Sequence, residues 1–255
     1  MYVWFDALSN YITGLDYATG GERYKKYWPA NVHVIGKGII RFHAIYWPAM
    51  LLSAGVPAPK KLFVHGYINI QGGKMWKSLG SVIDPFELVK KYGVDPVRYY
   101  LLRYIHPVQD SDFSIKKFED AYTSDLANGL GNLVNRVAGL IEQNNVKIEP
   151  ASRQVGKSAS RQVGKLLENF SFDQALKSIW DKIGRLDLLI SEKEPWVLAK
   201  EGKTKELEKV LSEATRGILE VTYLLEPFLP ETAQKIKDIY SAKDIKKSDA
   251  LFPRL

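Results

Sequence analysis

The chain has 255 residues, 45% of them hydrophobic, and a formal net charge of +7; this is enough apolar surface for one large or two modest domains, and the positive balance suits a nucleic-acid partner without dictating a fold. Cysteine is absent, which excludes disulfides and thiolate zinc sites, and the four histidines (His33, His43, His65, His106) are scattered, so no metal site is expected. The apolar runs are short and broken by charge and the first residues lack a basic leader, so a cytoplasmic protein with no membrane span and no signal peptide is expected.

Residues 1–4 read as the end of a strand, and residues 6–12 as a helix with Asp6 near its start. Ala7, Leu8 and Tyr11 fall on one face of that helix. A polar connection over 19–29 leads to a short strand over 31–36 that ends in glycine. Residues 38–53 have helical spacing, with Ile39, His43 and Trp47 stacked along one side. Pro48 lies inside this stretch and is expected to bend it or end its regular part, because proline has no N–H to donate. The next strand, 62–70, runs into a loop, Gly72-Gly73-Lys74-Met75-Trp76-Lys77-Ser78-Leu79-Gly80. Strand, helix, strand and loop predict a βαβ-like unit with its loops on one edge. Asp84-Pro85 opens a short helix within 82–93, and Asp95-Pro96 repeats that pair ahead of a helical stretch reaching residue 105. Residues 106–112 are a break, so the domains predicted are 1–110 and 111–255.

The second domain reads as helical. Long amphipathic segments cover 114–144, 170–191 and 205–225, a short helix opens at Pro195-Trp196, and a last one at Pro230-Glu231-Thr232. Antiparallel helices with short connections predict a bundle. Between the first two, Ser152-Arg153-Gln154-Val155-Gly156-Lys157 recurs as Ser160-Arg161-Gln162-Val163-Gly164-Lys165. This repeat is too short for a solenoid. It reads as a small duplication in a surface loop, which costs little closure entropy, or as a basic arm that contacts phosphate.

Three groups of residues can carry chemistry, and each also has a purely structural reading. Lys74 and Lys77 can both reach one polyanion and stabilise charge at phosphorus; a solvated basic turn has the same composition. The faces carrying Ala7, Leu8 and Tyr11 and carrying Ile39, His43 and Trp47, with Trp4 beside them, read as two core faces packed together. Asn132 and Arg136 are one helical turn apart and read as a surface pair, and Trp196 as the cover of a helix junction.

These residues resemble a known family. Lys74-Met75-Trp76-Lys77-Ser78 is similar to the Lys-Met-Ser-Lys-Ser signature of class I aminoacyl-tRNA synthetases. Val3-Trp4-Phe5-Asp6-Ala7, Gly36-Lys37-Gly38-Ile39-Ile40-Arg41-Phe42-His43, Tyr46-Trp47-Pro48-Ala49 and Phe63-Val64-His65-Gly66-Tyr67 resemble bacterial methionyl-tRNA synthetases and keep that family's order. The resemblance covers almost the whole chain. It implies the α/β second half of a Rossmann-like class I catalytic domain, followed by an all-α anticodon-binding helix bundle. The activity it implies is methionine–tRNA ligation: ATP and Mg²⁺ are used to make methionyl-adenylate, and the methionyl group then passes to tRNA(Met). By the same resemblance Trp4, Ala7, Leu8, Tyr11, Ile39, His43 and Trp47 line the methionine pocket, where a thioether suits aromatic walls. Gly36, Gly38, His65, Lys74 and Lys77 hold ATP, with the two lysines as the catalytic clamp on its phosphates. Asn132, Arg136 and Trp196 read the CAU anticodon by hydrogen bonding and stacking.

The chain also departs from the family's pattern. Gly38 stands where aspartate is usual, Trp76 where serine is usual and Ser81 where asparagine is usual. The His-Ile-Gly-His signature and the inserted zinc domain do not occur, so no zinc is expected and half of the parallel sheet is expected to be missing. The expectation is a fragment inactive alone that needs the N-terminal half of the enzyme as its partner, or a non-catalytic anticodon-binding module. An engineered chain is a third reading, to which the repeat and the abrupt start point.

Overall fold

The computed structural model describes residues 2–70, 73–74, 83–148 and 157–254. The chain divides into two compact units, Met1–Ile68 with Pro107–Ser111 and Asn69–His106 with Asp112–Leu255. This division differs from a single boundary at 110, because the stretch Asn69–His106 clusters with the later helices.

In the first unit, helix α1 (Val3–Thr13) begins at Val3, so Trp4 is helical and not the end of a strand. Leu8 and Ile12, one turn apart, are its buried residues. Helix α2 (Glu22–Tyr27) follows. Strand β1 (His33–Gly36) pairs in parallel with β2 (Leu62–His65), in a register running from His33↔Leu62 to Gly36↔His65. Between them come a 3₁₀ turn at Lys37–Ile39, a π-helical turn at Phe42–Tyr46 and helix α3 (Trp47–Ser53). Pro48 sits in the first turn of α3, where a missing N–H is harmless, and the turn just ahead of it is widened. The core of the unit is Leu8, Ile12, Trp28, Trp47, Leu51 and Val56. The Trp28 indole N–H donates to the Pro57 carbonyl at 2.9 Å, so this large ring is buried without an orphaned donor.

The strand expected over 62–70 is split. β2 joins the parallel pair, whereas β3 (Ile68–Ile70) joins a small sheet of order β4-β3-β5 with β4 (Gly73–Lys74) and β5 (Ser111–Phe113). Gly66 lies at the split. A Cβ there would collide with the backbone carbonyl of Gln109, so the returning segment Pro107–Ser111 can come this close only to a glycine.

The second unit opens with helices α4 (Pro85–Tyr92) and α5 (Val94–Arg103). Asp84 caps α4, its carboxylate accepting the Phe86 N–H at 2.8 Å. Asp95 does not repeat that role. It lies inside α5, 2% exposed, and its carboxylate accepts the N–H of Thr232 at 2.6 Å in the first turn of α12 (Pro230–Tyr240). A helix start leaves its first N–H groups unpaired, and here a carboxylate from another helix satisfies one of them. Arg98, three residues on, donates to the carbonyls of Phe228 at 2.8 Å and Pro227 at 2.9 Å. Helix α5 therefore fixes the bend ahead of α12 with both signs of charge.

Helix α6 (Ile115–Ala121), a π-helical stretch at Tyr122–Gly131 and helix α7 (Asn132–Gln143) make the helical run predicted over 114–144, widened in its middle. Helices α9 (Phe172–Lys193) and α11 (Thr204–Leu225) carry much of the core, with Leu176, Ile179, Leu211, Ala214 and Leu225 fully buried. Gly217 lets α11 approach α9, since a Cβ there would run into the Leu186 side chain. Helix α10 (Pro195–Lys200) opens at Pro195 as expected. Sequence periodicity missed helix α8 (Lys157–Glu168), which holds the second copy of the repeated residues. Val163 of that copy is buried, so this half of the repeat is a packed helix and not a bare loop. The first copy, apart from Lys157, lies outside the described residues.

Two tyrosines of the second unit share one carboxylate. Oδ2 of Asp125 accepts the Tyr99 hydroxyl at 2.7 Å and the Tyr104 hydroxyl at 2.5 Å. Burial first, then the Asp125 charge, holds the Tyr99 phenol far above its ordinary range. Burial and the hydrogen bond to Asp125 push Tyr104 up to about 12; it is the more exposed of the two, so solvent softens its share. Burial also raises Tyr240. A phenol pKa raised by folding contributes stability that is complete below the ordinary value near 10 and is lost as pH climbs through the folded value. The expected result is a melting temperature that holds to about pH 10 and falls steeply above it. The tyrosinate absorbance of Tyr99 and Tyr240 should appear only with unfolding. A melting temperature unchanged up to pH 12 would contradict the Asp125 arrangement.

Candidate functional site

In the first unit, α1 and the helical run after β1 meet through Tyr11 and His43. The Tyr11 hydroxyl is 2.8 Å from His43 Nε2, and His43 Nδ1 is 3.0 Å from the Ile39 carbonyl oxygen. A carbonyl only accepts, so Nδ1 carries a proton, and in the tautomer with that proton alone Nε2 accepts from the Tyr11 hydroxyl. Trp4 stacks on Phe42, with centroids 4.0 Å apart and planes at 11°, and meets His43 edge-on at 6.4 Å. The Trp47 ring lies 6.0 Å from that of Tyr11. Trp4, Tyr11, His43 and Trp47 are thus gathered into one aromatic cluster. Leu8 belongs to the core with Trp47 and Leu51, Ala7 is exposed, and Ile39 enters through its carbonyl.

Two residues of this cluster escaped the helical pattern. Phe42 is one, and the other is His33, whose ring lies 4.4 Å from Tyr11. His33 is buried, and burial first and neighbouring His43 second lower its pKa, so its ring is neutral at pH 7. The signal for it was strand alternation: His33 and Ile35 are the two buried residues of β1.

A second cluster lies at the carboxyl ends of β1 and β2, where open α/β sheets place ligands. Gly36 and His65 are register partners there. A Cβ on Gly36 would stand 3.5 Å from His65 Cε1, an ordinary contact, so the described packing does not itself demand glycine there. At Gly38 a Cβ would collide with the Tyr67 hydroxyl, so a larger residue at 38 requires that ring to move. Lys37 pairs with Asp110 at 2.5 Å, and its ammonium stands 4.7 Å from the centre of the Tyr67 ring. Asp110 also accepts the Tyr67 N–H at 2.8 Å. Asp110 was legible only as part of a break, since its partner Lys37 is 73 positions away. Lys74 lies in β4, in register with Asn69. Lys77, Trp76 and Ser81 lie outside the described residues.

In the second unit, Asn132 and Arg136 sit one turn apart on α7 and line the same cavity of about 380 Å³. Arg136 Nη2 is 2.5 Å from Asp187 Oδ1 on α9, which orients the guanidinium, while its Nε is buried with no partner among the described residues. Trp196, in the first turn of α10, is 37% exposed and is not part of that cavity's lining. Among the described residues no cluster of metal-ligating side chains occurs, and no helix is long and apolar enough to cross a membrane.

A family profile described as tRNA synthetases class I (M) matches residues 1–138, more than half of the chain. The chain belongs to the class I tRNA synthetases. This class I chain is 40% identical to the methionine–tRNA ligase of Caldanaerobacter subterraneus subsp. tengcongensis, with 100% of the chain and 45% of that protein covered. It is 43% identical to the methionine–tRNA ligase of Fusobacterium nucleatum subsp. nucleatum, with 96% and 42% covered. Among solved structures it is similar to Mycobacterium tuberculosis methionyl-tRNA synthetase bound by methionyl-adenylate, at a TM-score of 0.88 and 33% identity, covering 99% of this chain and 56% of that one. The apo form of the same synthetase matches at a TM-score of 0.85 and 31% identity, covering 100% and 56%. The chain thus spans about half the length of the relatives it matches. The class I catalytic fold and the mostly helical structure agree with the sequence reading.

Proposed function

We propose that this class I synthetase chain works in methionine–tRNA ligation, with methionine, ATP and tRNA(Met) as reactants. The observation that carries the reading is the Tyr11–His43–Ile39 hydrogen-bond relay inside the aromatic cluster. The Tyr11 proton is committed to His43, so the pair presents ring faces and edges in place of a free donor. That lining suits a polarisable thioether better than a charged or hydroxylated side chain. Gly36 and His65 at the strand ends, with Gly38 against the Tyr67 hydroxyl, are assigned to ribose and adenine, and the family resemblance assigns Lys74 and Lys77 to the phosphates. The methionine carboxylate oxygen attacks the α-phosphorus of ATP; the new P–O bond forms as the bond to the β-phosphate oxygen breaks, and pyrophosphate leaves with the electron pair. The lysine ammoniums stabilise that charge as it moves. Mg²⁺ would accompany ATP and would supply charge screening to its phosphates.

Methionine-dependent ATP–pyrophosphate exchange tests the reading, on the chain alone and on the chain mixed with the part of the Caldanaerobacter ligase that it does not cover. The expected result is no exchange by the chain alone, and exchange by the mixture that disappears in the Lys74→Ala, Lys77→Ala double variant. A folded chain that gives no exchange in either setting would sink the ligase reading. One observation favours a second reading, a tRNA anticodon-binding module without catalysis of its own: Asn132 and Arg136 share a cavity whose other charged residues are also basic.

A further inference from the structure

We propose that the segment after α12 is a phosphate-binding strap, in which Lys247 and Arg254 hold the phosphodiester backbone of an RNA loop whose bases Asn132 and Arg136 read. The inference rests on the anticodon reading and extends it to residues outside it. The strap runs antiparallel along the helix that carries Asn132 and Arg136. At one end the Lys247 N–H donates to Glu142 Oε2 at 3.0 Å, and the Ser248 hydroxyl bonds Asn135 Oδ1 at 3.2 Å. At the other, the Tyr122 hydroxyl donates to the Pro253 carbonyl at 2.8 Å, and Phe252 meets Tyr122 edge-on at 6.1 Å. Phe252 is buried, and it seats over Gly131, where a Cβ would come within 3.3 Å of its ring. The strap is therefore anchored at both ends by contacts that its two cations do not make with their charged groups.

Between the anchors lies the cavity of about 380 Å³, and its charged lining is Arg136, Lys247 and Arg254. No acid among the described residues lines the cavity: Asp187 pairs with Arg136, Glu142 takes the Lys247 backbone N–H, and Asp249, on the strap between the two cations, is exposed outside the lining. Among the described residues neither Lys247 nor Arg254 has an ion-pair partner. Cations alone suit any anion. Asn132 adds a paired donor and acceptor edge, and Asn135 adds its amide N–H groups beside the oxygen that Ser248 occupies; such edges match base edges better than an acidic peptide. Phosphate contacts of this kind set affinity and register without reading sequence.

Fluorescence anisotropy tests this, with the whole chain titrated against a CAU anticodon stem-loop and a scrambled-loop control over a range of salt. Lys247→Ala and Arg254→Ala are each expected to weaken both RNAs by the same factor. Each should also lower the slope of log K against log salt by about 0.7–0.9. The ratio of the two affinities should not change in either variant, whereas Trp196→Ala is expected to lower that ratio and leave the slope alone. Lys247→Arg and Arg254→Lys should restore the slope, which separates lost charge from lost fold. Unchanged slopes in both alanine variants, or a fall in the ratio without a change of slope, would overturn the strap while a wild-type preference for CAU stands. No CAU preference in the wild-type chain would instead remove the anticodon reading on which it rests.

Discussion

Replacing Trp47 by alanine is expected to destabilise the first unit by about 3–5 kcal/mol, the usual cost of emptying a large aromatic site. Trp47 is 1% exposed and lies in the core with Leu8, Trp28 and Leu51, edge-on to Trp28 at 6.1 Å. The elements around it are short, a pair of four-residue strands and a seven-residue helix. They hold few alternative apolar groups to fill the void. Phenylalanine at 47 should behave differently. The Trp47 Nε1 is buried with no hydrogen-bond partner among the described residues. Trp47→Phe keeps the aromatic contact and removes that unpaired donor, so its cost should stay below about 1.5 kcal/mol. Urea midpoints, with amide exchange read on β1 and β2, measure both variants. Equal losses for alanine and phenylalanine would mean that the core uses the indole N–H and not the packing.

Asp95→Ala is expected to cost about 2–4 kcal/mol, a charge-assisted hydrogen bond together with its helix-terminus term. Thr232 is 5% exposed, so water does not readily replace the lost acceptor on its N–H. Part of the gain from the carboxylate is offset by its own burial, since Oδ1 has no partner among the described residues. Asp95→Asn keeps an acceptor oxygen and drops the charge, and should cost clearly less than alanine. The urea midpoint and the exchange rate of the Thr232 amide report the two effects separately. A midpoint unmoved by Asp95→Ala would show a tolerated buried charge in place of a cap. Arg98 holds the carbonyls of Phe228 and Pro227 just ahead of the same helix start, so the two side chains are expected to couple in a double-mutant cycle.

Gly38 illustrates how a departure read in the sequence acquires a local cause. The Tyr67 hydroxyl lies where a side chain at 38 would begin. Tyr67 is itself held by Asp110, which takes its N–H and pairs with Lys37. Lys37, Tyr67 and Asp110 thus form one group beside Gly38, and an aspartate at 38 would displace the Tyr67 ring.

Part of this fold rests on local spacing alone. Helices α9, α11 and α12 and the buried side that His43 shares with Trp47 follow from a period of 3.6 residues, which needs no knowledge of the rest of the chain, whereas the face expected for Ala7, Leu8 and Tyr11 is instead one that buries Leu8 with Ile12. The cap at Asp84 followed from one aspartate and one proline in the right order. Tertiary structure decided everything whose cause lies far along the chain. Trp4 lies in a helix and stacks on Phe42, and four residues carry no period from which to read either. Asp95 serves a helix 137 positions away, and the strand at 62–70 breaks where the segment around Asp110 returns to Tyr67, 43 positions on. The second copy of the repeat is polar enough to read as a loop, yet it lies in helix α8 with Val163 buried. The Tyr122–Pro253 bond that closes the strap spans 131 positions. A residue's period is written in its neighbours, whereas its partner is selected by which buried surfaces and unpaired polar groups remain when the chain has packed.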